Sequence, residues 1–160
     1  MKIEKSTRTD SKKLTELTIR SKSHWDYSMQ QIEKWRDDLT VSEDYIIEKE
    51  VYKLIDSKDK IIGYYSYFKI DEVNVKLENL FVEPKFIGYG YGKMLMNDFI
   101  ERIRKTRTEK IILDSDPNAE NFYAKNGFKV VGKLKTSIEG RFLPIMELKI
   151  KPVANNVYKK

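Results

Sequence analysis

Residues 83–104 read EPKFIGYGYGKMLMNDFIERIR: an apolar strand candidate gives way at Pro84 to three alternating glycines, and an amphipathic helix follows without a linker. Gly88, Gly90 and Gly92 carry no Cβ, so successive backbone N–H groups can converge on one ligand. The helix N-terminus adds partial positive charge, which makes a phosphate oxygen the natural guest. A strand, a loop and a helix in direct succession call for a sheet with a helix packed on it, hence a mixed α/β fold. Two better-known phosphate loops do not fit. The dinucleotide loop needs G-x-G-x-x-G after a first strand, and the nucleoside-triphosphate loop needs Ser or Thr where Met94 follows Lys93.

The remaining pattern supplies the elements around this loop. Residues 1–6 read as a short strand, and Ser11 as the cap of a helix with Leu14, Leu17 and Ser21 on one face. A second helix is predicted over 28–39, capped by Ser28 and striped by Met29, Ile32, Trp35 and Leu39, with a further turn at 42–49. Strands follow at 51–56, 61–70 and 73–82. In the last of these Val73, Val75 and Leu77 alternate, and the apolar pattern then resumes at Leu80 and Val82. One extra residue at Glu78–Asn79, a β-bulge, gives that jump; so does burial of both faces. After the helix striped by Leu95, Met96, Phe99, Ile100 and Ile103 come a strand at 109–114, a short helix from Asp116–Pro117 to Gly127, and strands near 128–134 and 142–150. The expected architecture is a central mixed sheet of about seven strands flanked by about four helices, in one domain over 1–150 with a tail at 151–160.

Composition narrows the chemistry. The 160 residues contain no Cys and one His, so disulfides, thiolate metal sites and cysteine nucleophiles are all ruled out, and no metal is expected. No apolar run of membrane-spanning length occurs, and the expected location is a reducing cytoplasm. The net charge of +6 is divided unevenly. Residues 1–60 are neutral, with 13 basic and 13 acidic side chains, whereas residues 61–160 carry 18 basic against 12 acidic. Within the neutral part, residues 26–50 hold eight acids against Lys34, Arg36 and Lys49. The excess positive charge thus accompanies the glycine loop and suits an anionic ligand; the acidic stretch suits a cationic one.

The stretch LENLFVEPKFIGYGYGKMLM resembles the acetyl-coenzyme A signature of the GNAT N-acetyltransferases, and DPNAENFYAKNGFKVVG is similar to that family's second marker, in the same order and separation. SKSHWDYSMQQIEKW also resembles a subset of small bacterial members. The resemblance covers residues 1 to about 150 and implies the GNAT fold with a bulged fourth strand. It implies acetyl transfer from acetyl-CoA to a primary amine, with CoA as product and direct attack within a ternary complex. Ile87 departs from the Gln or Arg usual at the head of the loop motif, a change the backbone cradle tolerates.

By the same resemblance, Leu80, Phe81 and Val82 offer backbone groups to the pantetheine arm, and Gly88, Tyr89, Gly90, Tyr91, Gly92 and Lys93 surround the diphosphate. Asn118 and Asn121 match polar positions at the start of the short helix. Asn118 contacts the cofactor or simply serves the helix start. Tyr123 matches the family tyrosine near the cofactor sulfur and could protonate the departing thiolate; the other reading is a packed aromatic. Glu78, at the phase jump, is the candidate general base, or else an ordinary strand carboxylate. His24 and Trp25 border the expected acceptor side or are ordinary packing or surface; Tyr27 and Trp35 could line a substrate pocket, the other reading of Trp35 being core. The run Arg102, Arg104, Lys105, Arg107 and Lys110 alternates with Glu101 and Glu109 and reads as a solvated face rather than a nucleic-acid surface. A small-molecule or peptide amine is the expected partner, without nucleic acid or membrane, for a monomer or homodimer. A non-catalytic acyl-CoA-binding module and a nucleic-acid-binding protein are the rival classes.

Overall fold

The computed structural model describes residues 1–151. The tail expected over 151–160 lies, beyond Lys151, outside the described residues. Seven strands run β1 (Lys2–Lys5), β2 (Glu50–Ile55), β3 (Ile61–Lys69), β4 (Asn74–Val82), β5 (Lys110–Asp114), β6 (Lys129–Lys135) and β7 (Phe142–Lys149). They hydrogen-bond in the order β1-β2-β3-β4-β5-β7-β6. The pairs β1–β2, β2–β3, β5–β7 and β6–β7 are antiparallel, whereas β4 and β5 are parallel from Asn74↔Lys110 to Lys76↔Ile112. A parallel pair needs a long crossover, and helix α5 (Tyr91–Arg104) supplies it.

The other helices are α1 (Ser11–Ser23), α2 (Met29–Lys34), α3 (Arg36–Leu39), α4 (Glu43–Glu48) and α6 (Glu120–Lys125). The expected four or so become six because the segment 29–48 is divided into three short pieces. The helix predicted over 28–39 begins where expected, with the Ser28 hydroxyl accepting from Gln31 N–H. It breaks at Trp35, whose φ of −89° and ψ of 1° leave the helical region. Its stripe is shorter than the spacing implied, since Ile32 and Leu39 are buried but Met29 is 90% exposed. Ser11 is not a cap either. It is the first residue of α1, and its hydroxyl donates to the Val41 carbonyl, 2.7 Å away.

The chain divides into two compact units, one of Met1–Phe68 with Glu78–Asp98, the other of Lys69–Leu77 with Phe99 onward. In the first, Leu14 and Leu17 of α1, Ile46 of α4 and Val41 pack on Val51, Ile55, Ile61 and Tyr64 of β2 and β3 and their ends, with Tyr45 and Phe81 against them. The buried Tyr64 hydroxyl hydrogen-bonds Thr18 Oγ1 at 2.5 Å, so this ring keeps a polar partner inside the core. In the second, Val75, Leu77, Phe99, Ile103, Ile111, Leu113, Phe128 and Met146 are almost wholly withdrawn from water. Full burial of such a side chain is worth about 1.5–3 kcal/mol, which is what orders these short strands.

Candidate active site

In the first unit the site grows from the end of β4. Glu83 N–H donates to Ile62 O at 2.8 Å, which pins that end against β3. Gly63 of β3 lies so close that a Cβ there would stand 2.7 Å from the Phe81 carbonyl oxygen and 3.0 Å from Leu95 Cδ1. Only glycine lets β3, β4 and α5 approach this closely at Phe81–Val82. The buried Glu83 carboxylate is held by Arg20 of α1 in a two-pronged contact, Nε to Oε1 at 2.7 Å and an Nη to Oε2 at 2.9 Å. That contact raises the Arg20 pKa above its ordinary value.

Past Glu83 a 3-10 turn (Pro84–Phe86) leads into the loop. The N–H groups of Phe86, Ile87 and Tyr89 turn inward to Glu83 O, Pro84 O and Phe86 O, so the loop braces itself on its own backbone. Gly88 and Gly90 adopt φ of +89° and +88°, with no atom within 4 Å of where a Cβ would be. α5 then opens, its first intrahelical bond running from Met94 N–H to Gly90 O. The N–H groups of Tyr91, Gly92 and Lys93 stand in the first turn of α5, where an α-helix offers its N–H groups no intrahelical carbonyl. Open space, left-handed glycines and a helix N-terminus together fit a diphosphate, which is the test the coenzyme has to pass here.

Beside the strand, Glu78 is exposed and its carboxylate lies in hydrogen-bonding reach of the Tyr45 hydroxyl. Tyr45 Oη also meets Ser66 Oγ at 2.8 Å, and Asn79 Nδ2 donates to Ser66 Oγ at 2.9 Å and to Tyr45 Oη at 3.3 Å. Burial, then the Glu78 carboxylate, push the Tyr45 phenol well above its usual range; burial raises Tyr64 likewise, with a smaller contribution from the Glu78 charge. Both phenols therefore stay protonated around a carboxylate that stays open to solvent. The spacing of the sequence pointed to Glu78 but not to Tyr45 or the Arg20–Glu83 pair. An acid just before Pro84, closing an apolar strand, was the one available signal for the latter.

Leu80, Phe81 and Val82 are half-buried, as is Tyr91, whereas Tyr89 and Lys93 are exposed. His24 and Trp25 are exposed and meet edge to face at 5.1 Å. Tyr27 and Trp35 pair at 4.9 Å, with Lys22 Nζ 5.3 Å and 5.2 Å from their centroids. These residues form a cation–π cluster rather than a core stripe.

In the second unit Tyr123 is half-buried on α6, edge to face with Phe122 at 5.3 Å and Phe128 at 5.7 Å. Gly127, at φ +94°, ends that helix, and the N–H groups of Asn126 and Phe128 both reach Tyr123 O, at 3.0 and 3.1 Å. This glycine-closed cap fixes the backbone that carries the phenol. Burial, then the negative charge of Asp116, raise the Tyr123 pKa, so its hydroxyl keeps its proton throughout the neutral range. Asn118 is exposed, and both its N–H and Nδ2 donate to Asp116 Oδ1, at 2.9 and 3.0 Å. Asn121 is exposed. Of the basic run, Arg104 pairs with Glu101 at 2.9 Å and the half-buried Lys110 with Glu147 at 3.4 Å.

Similarity to known proteins agrees with this arrangement. Residues 23–150 match the acetyltransferase (GNAT) domain family. Among curated relatives, an N-acetyltransferase, ycf52, of Porphyra purpurea is 29% identical over 73 residues, 46% of this chain and 42% of that protein. The peptidyl-lysine N-acetyltransferase YjaB of Salmonella typhimurium is 25% identical over 105 residues, 66% and 68% of the two chains. Against the first of these relatives the chain spans less than half of the protein matched. Among solved structures, the PaiA N-acetyltransferase of Thermoplasma acidophilum in complex with coenzyme A aligns with TM-score 0.76 at 23% identity, over 92% of this chain and 98% of that one. Together with the left-handed glycines of the loop between β4 and α5, the match across 23–150 means that the chain belongs to the GNAT acetyltransferase family.

Proposed function

We propose that residues 1–150 act as one N-acetyltransferase domain that moves an acetyl group from acetyl-CoA to a primary amine by direct attack in a ternary complex. The observation that carries this reading is the pair Gly88 and Gly90, left-handed and facing open space at the mouth of α5. Acetyl-CoA supplies the acetyl thioester. The backbone from Gly88 to Lys93 would hold its diphosphate and the backbone of Leu80, Phe81 and Val82 its pantetheine arm, with Asn118 and Asn121 assigned to the coenzyme by family likeness. None of these roles uses the side chain at Ile87.

An amine attacks only when neutral, so a carboxylate that can take its proton is needed on the acceptor side. Glu78, exposed and flanked by the protonated Tyr45, suits that role, directly or through one water. Tyr123, which keeps its proton, suits delivery of a proton to the departing thiolate. The relative named a peptidyl-lysine N-acetyltransferase supports an amine acceptor, which we take to be of small-molecule or peptide type. Asp37, Asp38, Glu43 and Asp44 are all exposed, and we assign them to attraction of a cationic acceptor. The lack of cysteine fits the reducing cytoplasm. Among the described residues no helix is long and apolar enough to cross a membrane.

The test is a pair of variants. Tyr123→Phe should lower kcat about 10²-fold or more, and Glu78→Gln should do the same, both with CoA affinity unchanged. Variants that turn over like the parent would contradict the assigned roles.

A further inference from the structure

We propose that the side chains of Tyr89 and Tyr91 form a stacking platform for the adenine ring of coenzyme A; the inference rests on the coenzyme reading above. Gly90 separates the two tyrosines, and its φ of +88° turns the chain so that both rings come to lie in nearly parallel planes, 14° apart with centroids 6.5 Å apart. Phe86 meets both edge on, at 6.1 Å and 80° for Tyr89 and at 5.8 Å and 89° for Tyr91. One half-buried ring therefore braces two others in a common orientation.

Folding does not account for this arrangement. Tyr89 is 71% exposed, so its ring face gains little from the core. The 6.5 Å spacing lies at the far end of the range, about 4.5–7 Å, over which aromatic pairs attract each other, so the two tyrosines hold one another only weakly. Two nearly parallel phenol rings on a braced loop, Tyr89 exposed and Tyr91 half-buried, are a surface prepared for a flat partner.

The nature of that partner follows from position. Tyr89 lies between the two left-handed glycines of the diphosphate cradle, and Tyr91 is the first residue of α5. In coenzyme A the adenosine is joined to the diphosphate through its 5′ carbon, so the purine must come to rest a few bonds from whatever holds the phosphates. A purine offers a broad π-face that stacks on tyrosine without needing hydrogen-bond complementarity. The cradle thus reads the phosphates through its backbone and the base through the side chains of the same five residues, Gly88 to Gly92.

Binding of CoA and of 4′-phosphopantetheine, which keeps the arm and one phosphate but lacks the 3′-phosphoadenylyl group, tests this by calorimetry or competition on the parent chain, Tyr89→Ala and Tyr89→Phe. Tyr89→Ala should weaken CoA about tenfold and leave 4′-phosphopantetheine within about twofold, while Tyr89→Phe, which keeps the ring, should bind CoA like the parent. Equal weakening of both ligands, or of neither, overturns the platform while leaving the coenzyme reading intact. A parent chain that binds no CoA overturns the coenzyme reading and the platform with it.

Discussion

Replacing Gly63 with alanine tests whether the close approach of β3 to β4 shapes the site. The new Cβ would stand 2.7 Å from Phe81 O, where ordinary van der Waals contact begins at 3.4 Å, so something must yield by 3.4 − 2.7 = 0.7 Å. The obstructing atom belongs to the β4 backbone and has no rotamer to escape into, and Leu95 Cδ1 at 3.0 Å closes the other direction. Overpacking of this kind costs about 1–3 kcal/mol. Alanine recovers about 0.4–1 kcal/mol by restricting the unfolded chain. The net loss is about 1–2 kcal/mol, a fall in Tm of about 2–8 °C for a chain of this size. Because the displaced segment is Phe81–Val82, CoA affinity should fall as well. Gly132→Ala is the control, since its Cβ would meet Ile145 Cδ1 at an unstrained 3.5 Å and should leave Tm nearly unchanged. Thermal melts of both variants followed by circular dichroism decide the matter. A Gly63→Ala protein that melts with the parent, or a Gly132→Ala protein that loses as much, would refute the reasoning.

Two further outcomes are expected of the scaffold. Arg20→Met leaves the buried Glu83 carboxylate without its two-pronged partner and should destabilise by about 1–3 kcal/mol, less than for a fully buried pair because Arg20 is half exposed. A double-mutant cycle with Glu83→Leu should show the double variant recovering part of that loss, and strict additivity would contradict the pairing. The Asp71 carboxyl is held below its ordinary range, chiefly by the Asn74 side chain, and Asp56 by the Lys60 and Lys58 N–H groups. A depressed folded-state pKa gives stability that is complete above the unfolded value near pH 4 and is lost as pH falls through the folded one. The variant Asp56→Asn/Asp71→Asn should therefore show a shallower drop in Tm between about pH 5 and pH 2. An unchanged acid limb would count against these turns.

The strand–glycine–helix unit, the Ser28 cap and the Gly127 stop could be read from the sequence because each depends on neighbours within a few residues. The positive φ angles of Gly88, Gly90 and Gly127 are what their loop and cap positions demand. The insertion of β7 between β5 and β6 could not be read, since alternation tells which face a strand buries and not which strand it joins. The same holds for Gly63, an unremarked glycine in an apolar run until Phe81 O is brought against it. Arg20 and Glu83 are 63 residues apart, and nothing local marks them as partners. Trp35 fits the helical spacing of its neighbours, yet its ring turns to Tyr27 and Lys22, and the helix ends there. Tyr45 sits on a short helix whose pattern explains its half-burial but not the carboxylate it meets.

The central claim is amine-dependent acetyl transfer, and its most direct measurement is thiol release from acetyl-CoA by the purified chain across a panel of primary amines. Polyamines, aminoglycoside-type amines, amino sugars and lysine-bearing peptides should be included, with mass spectrometry of the products. The account predicts thiol release that rises with one amine class, in step with an acetyl group appearing on that amine. Tight acetyl-CoA binding with no release above the amine-free rate for any acceptor would contradict it and leave a coenzyme-binding module in its place.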